Sequence, residues 1–139
     1  MREPHLLRVD GGPERFVALV AALGVAGMRA GWLELSGSTA LLPLPPDLAA
    51  AAASGVLRAV AAGGGRSVAV KPLKGAPVLG DLLREHFRGC ALVLVRGEAA
   101  VPHLAIDGEA WRVSPPGEAE RTYATADLVA ALRRPRPWS

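Results

Sequence analysis

The stretch Ala100 to Val113, AVPHLAIDGEAWRV, sets His103 in a strand-like run beside a tight turn, where an imidazole could do acid–base or metal chemistry. A metal role would require several converging ligands. His5, His86 and His103 fall on separate elements, the serines lack the glycine-flanked pattern of a nucleophile elbow, and neither HExxH nor paired CxxC occurs. We therefore assign no catalytic residue, no cofactor and no metal ligand, and the chain leans away from enzymes. Period-two alternation puts His103 and Ala105 on one strand face and Leu104 and Ile106 on the other. His103 is then a structural hairpin residue or, on the second reading, part of an interface with Trp32.

Two cationic stretches could hold anions. KPLKGAP, Lys71 to Pro77, joins a strand-like run to a helix, and Lys71 with Lys74 could bind phosphate or carboxylate against the helix dipole. A solvated connecting loop is the plainer reading. GGGRS, Gly63 to Ser67, runs from helix to strand, whereas a phosphate loop leaves a strand and opens a helix, so it reads as a helix stop. In the tail LRRPRPWS, Arg133, Arg134 and Arg136 stand among prolines and could enter a narrow DNA minor groove. Their simpler role is to complement helix carbonyls next to a frayed or docked end. His86, beside Phe87 on a helix, reads as a boundary residue.

These residues need a scaffold, and composition says which kind. The chain has 139 residues, 50% apolar and 21% charged, a balance that suits one packed domain over residues 1–133 with a short Arg/Pro tail at 134–139. The formal charge is +3, and the excess sits in residues 63–139, where eleven Lys and Arg face eight Asp and Glu. So small an excess is no nucleic-acid footprint by itself. The lone cysteine, Cys90, excludes an internal disulfide and reads as a small buried hydrophobe opening the strand CALVLV. FVALVAALGVAGMRA has the apolar run of a signal peptide, but Arg2, Arg8 and Arg15 are balanced by Glu3, Asp10 and Glu14. It is expected as a helix rather than a leader, too short to span a membrane.

Periodicity supplies the order of elements. HLLRVD is a strand and GGP breaks it. The helix from Glu14 carries Phe16, Leu19, Val20 and Leu23 on one face. Trp32 to Leu35 and Ala40 to Leu44 are an extended pair about Ser36-Gly37-Ser38. Asp47 is expected to cap a helix, LAAAAASGVLRAVAA, that glycines 63–65 end. RSVAVK, a helix with Val78, Leu79, Leu82, Leu83 and Phe87 inward, and CALVLVRG form a βαβ unit. Asp107-Gly108 suggests a type I′ hairpin. SPPGEAERTY is a loop, and Thr125 caps the last helix. The fold class expected is α/β with a mixed sheet, a βαββ front part and a βαβ plus hairpin back part, helices mainly on one face.

Residues 5–44, with Asp10 to Glu14, the helix Phe16 to Leu23 and Gly27 to Gly37, resemble the opening of the plant and prokaryote conserved (PPC) domain. The resemblance implies an α/β trimer associated with DNA. In that family a Pro-His-Leu-His strand and a Gly-Gly-His element can build a metal site. Here Pro102, His103 and Leu104 are followed by Ala105, and no Gly-Gly-His follows, so metal binding is not carried over.

The expected function is a non-enzymatic binding or regulatory module that is cytoplasmic, partners itself as a homo-oligomer, and has DNA but no membrane among its partners. Oligomerisation is motivated by Trp32, Leu41, Leu42, Leu44 and the Ala/Gly-rich helix at 48–62. Two alternatives stand: a small-molecule or phosphate-ligand domain using Lys71 to Pro77, and an assembly or scaffold subunit.

Overall fold

The computed structural model describes residues 2–36 and 43–139. In chain order the elements are β1 (His5–Val9), a 3-10 turn (Pro13–Phe16), α1 (Val17–Val25), β2 (Ala30–Leu35), α2 (Pro46–Ala53), β3 (Ala59–Gly63), β4 (Arg66–Val70), α3 (Leu79–His86), β5 (Leu92–Gly97), β6 (His103–Asp107), β7 (Ala110–Ser114), β8 (Arg121–Tyr123) and α4 (Thr125–Leu132). This is an α/β fold with a mixed six-stranded sheet and a separate two-stranded one. The chain divides into two compact units, residues 1–35 with 79–139 and residues 36–78.

The first unit holds the large sheet, in the order β2-β5-β1-β6-β7-β8. β5 lies between β2 and β1 and is parallel to both, which is why its sequence is a continuous apolar run: Leu92 to Val95 alternate between two covered faces and all are buried. Leu7, Val9, Leu92, Leu94, Leu104, Trp111 and Val113 share one face, where they meet Phe16, Leu19 and Leu23 of the first helical segment and Leu128, Val129 and Leu132 of α4. The other face meets the end of α3, because the Phe87 ring lies over Gly31, and a Cβ there would stand 2.5 Å from it.

Three connections explain how the parallel part is built. β1 passes through α1 to β2, stepping over β5 to one edge. The return from β5 to β6 takes only residues 98–102, far fewer than the dozen or more a parallel crossover usually needs. It is short because β6 does not run beside β5. It starts where β5 stops: β1 pairs Val9 with Arg96 on one side, and Arg8 with His103 and Val9 with Leu104 on the other. The Arg8 N–H donates to Pro102 O at 2.8 Å and pins the crossing loop.

The helix begins as a 3-10 turn with Pro13 first, and α1 proper starts at Val17. Leu19 and Leu23 are buried as expected, but Val20 is 42% exposed. The outward side of α1, Val17, Val20, Ala21, Gly24 and Val25, contains no polar residue, with Val17 63% and Val25 92% exposed. In α3, Leu79, Leu82, Leu83 and Phe87 are half-buried, whereas Val78 is exposed.

Turn chemistry corrects the hairpin. Asp107 pairs with Ala110, so the two-residue loop is Gly108-Glu109, one position later than expected. Gly108 has φ 63°, whereas Glu109, like every described non-glycine residue, lacks a positive φ, which is the II′ pattern rather than I′. The segment expected as a loop through Tyr123 contains β8, paired antiparallel with β7. Thr125 does not cap α4: Ala124 holds the cap position, and the Thr125 hydroxyl instead accepts the Trp111 indole N–H at 2.8 Å.

The second unit departs most from expectation. The helix assigned to residues 48–62 ends at Ala53, where Ser54 folds its hydroxyl onto Ala51 O and Gly55 turns at φ 91°. The preference of each alanine for helix is small, and the glycine stop outweighs it. Residues 59–63 are β3, paired antiparallel with β4, and Gly64-Gly65, at φ 58° and 77°, form the turn. The glycines expected to stop a helix therefore turn a hairpin. Among the described residues β4 pairs only with β3, so RSVAVK and CALVLVRG do not form a βαβ unit. Asp47 lies in the first turn of α2, and Pro45 occupies the cap position. Leu48 and Ala59 are buried in this unit. Ala40, Leu41 and Leu42 of the expected partner strand lie outside the described residues, and Leu44 is not in a strand.

Candidate functional site

The carboxyl ends of β2, β5 and β1 collect most of the interacting polar side chains on the large sheet. β1 sends its chain toward β2, and the neighbouring β5 sends its chain the other way, past β1 to β6. Adjacent parallel strands whose connections leave in opposite directions open a crevice at their carboxyl ends, the usual ligand position in open α/β sheets.

Gly97 closes β5 against this crevice. Its φ is 134°, and a Cβ there would collide with the Leu35 carbonyl oxygen. Only glycine lets β2 and β5 stay paired to their last residues. Beyond it, Arg8, Gly97, Glu98, Ala99 and Ala100 line an open depression of about 600 Å³. Arg8 reaches it because alternation along β1 aims it away from the buried Leu7 and Val9.

At the rim stands a histidine–carboxylate pair. His103 Nε2 lies 2.8 Å from Asp10 Oδ2, and Arg8 lies 3.8 Å from Oδ1 of the same carboxylate. The His103 side chain is 25% exposed and that of Asp10 72%. An ionised carboxylate can only accept, so Nε2 carries the shared proton. Nδ1 is then the imidazole atom left to accept a hydrogen bond or a proton from a bound molecule. On its other side, Asp10 borders a cleft of about 100 Å³ shared with Arg15, Phe16 and Leu104 to Ile106. Ser114 pairs with His103 across the hairpin, but its hydroxyl donates to Glu120, so it is not the partner of a nucleophilic triad.

A second cluster occupies the opposite side of the strand ends. Arg96 grips Glu34 through two bonds, Nη2 to Oε1 at 2.7 Å and Nε to Oε2 at 2.9 Å. Trp32 donates its indole N–H to Glu34 Oε1 at 2.9 Å, and Arg96 lies 5.8 Å from the Trp32 ring centre. Partial burial pushes the Glu34 carboxyl up, but the Trp32 N–H and the Arg96 guanidinium outweigh it and hold it below the usual glutamate range. Trp32 also packs against Phe16 at 6.0 Å. Its indole N–H and part of its ring are thus engaged within the chain.

The remaining residues singled out by sequence do not join this site. Lys71 and Lys74 follow β4, which belongs to an antiparallel hairpin, so the crevice argument for that loop does not apply. The tail is docked, not frayed. Arg133 donates to Ala26 O at the end of α1, Arg134 donates to Pro137 O, and Trp138 packs on Tyr123 at 5.9 Å. Arg136 is exposed. His5 donates to Arg134 O, and His86 lies 3.9 Å from Glu85. Cys90 precedes β5 and is half-buried. Among the described residues, no three His, Cys, Asp or Glu side chains converge as metal ligands would.

Sequence reasoning found His103 but missed Arg8, Asp10, Glu34 and Arg96. A signal was there: each lies at the carboxyl end of an apolar strand-like run, the position where α/β sheets keep their polar groups. Which strands were parallel neighbours was not visible. No family model matches the chain, and no curated protein matches it.

Proposed function

We propose that this protein is a binding module that takes a small acidic ligand in the crevice at the carboxyl ends of β1 and β5, where β6 begins. The observation that carries the reading is the Asp10–His103 pair with Arg8 beside it, at the point where the connections of β1 and β5 diverge. Arg8 supplies a fixed positive charge for a carboxylate or phosphate. His103 Nδ1 accepts from a hydroxyl or amine of the same ligand. Gly97 and the crossing loop bring backbone close to the bound molecule. Among the described residues no nucleophile is bonded to the imidazole, which favours recognition over covalent chemistry.

Amide-resolved NMR titration with a panel of hydroxy acids and sugar phosphates tests this. Saturable shifts should map to residues 8–11 and 97–104, and Arg8→Ala should weaken the tightest binder about tenfold, the cost of one charge-assisted contact. Shifts that are absent there, or unchanged in Arg8→Ala, would sink the reading.

We further propose self-association, supported by the outward side of α1. A helix apolar on every side is ordinarily covered. Ala21 and Gly24 on that side would let a second copy approach closely in a two-fold arrangement.

A further inference from the structure

The opposite end of the parallel strands holds a second concavity, built from different chemistry. The chain entering β1, β2 and β5 and the end of α4 enclose about 390 Å³. Arg2, Arg29 and Arg133 line it against a single carboxylate, Glu3. Two of these arginines are held in place: Arg133 donates to Ala26 O at 2.6 Å, and Arg2 donates to Arg133 O at 2.8 Å. Each carries further guanidinium N–H groups beyond the one so used. Arg29 stands at the mouth beside Cys90, whose thiol burial pushes up and Arg29 partly pulls back.

Next to this cavity is a recess of about 310 Å³ whose wall it shares through Arg2 and Glu3. Pro4, Leu83 and Phe87 give it an apolar surface, and Gly80, Arg84 and Arg88 complete its lining. Arginines along both chambers and an aromatic and aliphatic surface in the second suit one kind of molecule. An inorganic ion would leave the apolar recess unused, and a neutral hydrophobe would leave three guanidinium groups unmatched.

We infer that the amino-terminal edge of the parallel strands binds a small organic oxyanion, its carboxylate or phosphate among Arg2, Arg29 and Arg133 and its apolar body over Leu83 and Phe87. The inference is independent of the crevice at the other edge, with which it shares no residue.

Cys90 is the only cysteine of the chain and lines the cavity, so its alkylation reports occupancy directly. The rate of Cys90 modification by iodoacetamide is measured on the full chain near pH 8, where enough thiolate forms, at constant ionic strength so that screening does not vary. The probes are phenyl phosphate, benzoate and inorganic phosphate. Protection should saturate with phenyl phosphate or benzoate, and whichever is the tighter identifies the head group. Inorganic phosphate should need at least about tenfold more for equal protection, since it forfeits the apolar contact. Arg29→Ala, at an exposed position, should weaken protection by about the same factor with an unchanged circular dichroism spectrum. Leu83→Ala should narrow the gap between the organic probes and inorganic phosphate. Alkylation that ignores both organic probes, or protection that is equal in the Arg29→Ala variant, would overturn the assignment. An organic probe no better than inorganic phosphate would overturn the apolar half of it.

Discussion

At the scale of single residues, the positions that matter most are those where backbone or charge leaves no alternative. Gly97→Ala would force a Cβ into Leu35 O and a strained φ at once, and the parallel pair β2–β5 cannot open locally without exposing Leu92 to Val95. We expect a loss of at least about 3 kcal/mol in urea unfolding, the range of strain combined with a core clash. A loss under about 1 kcal/mol would show that the strand ends adjust freely. Glu34 gives a pH signature. Its folded carboxyl releases its proton at lower pH than in the unfolded chain, so the stabilisation is complete above the ordinary glutamate range and disappears as pH falls through that range to the lower folded value. Glu34→Gln should therefore lower stability at neutral pH by about 1 kcal/mol or less, the pair being nearly half exposed, and cost nothing below the folded value, so that the acid side of the stability profile flattens. Thermal unfolding from pH 3 to 7 measures it. None of these roles could be read from residue identity: Gly97 and Arg96 acquire them only when β2 lies alongside β5.

At the scale of elements, the readings that held were those in which local pattern and tertiary packing agree. β1, β5 and α4 are continuous or periodic apolar segments with clear stops, and they form where expected. The reading failed where an apolar, alanine-rich segment could be either helix or strand. Residues 48–62 are rich in helix-favouring alanine, yet Gly55 ends α2 and the paired glycines 64 and 65 make a hairpin of the segment after it. A two-stranded ribbon is marginal by itself, and only Leu48 and Ala59 are buried among the described residues of its unit. Hydrogen exchange should accordingly separate the two sheets. Amides of β3 and β4 are expected to exchange at least about a hundredfold faster than those of β5, a difference near 3 kcal/mol in opening free energy. Equal protection would mean that the hairpin shares the cooperativity of the large sheet.

At the scale of the whole molecule, the chain combines two compact units, two concavities at opposite edges of one sheet, and a helix with apolar residues on every side. None of its described helices is long and apolar enough to cross a membrane. Self-association through α1 makes a definite expectation: light scattering at micromolar concentration should give a multiple of the 14.4 kDa chain mass. The double change Val17→Glu with Ala21→Lys, an i,i+4 pair that keeps the helix and the net charge, should return the monomer. A monomer for the unchanged protein would remove the proposal. By itself, the sequence determined the α/β class, the buried character of β5, the burial of Leu19 and Leu23 on α1 and the existence of a hairpin after His103, because hydrophobic periodicity and glycine stops act over a few residues. Only the tertiary structure decided that β6 begins where β5 ends, that Asp10 meets His103 across 93 positions, and that Arg133 reaches the Ala26 carbonyl at the end of α1. Those outcomes depend on which strands become neighbours, and neighbour choice is a property of the whole core rather than of any segment. The question that His103 poses as a lone histidine is answered at that level: it is half of a pair whose other half lies at the end of another strand.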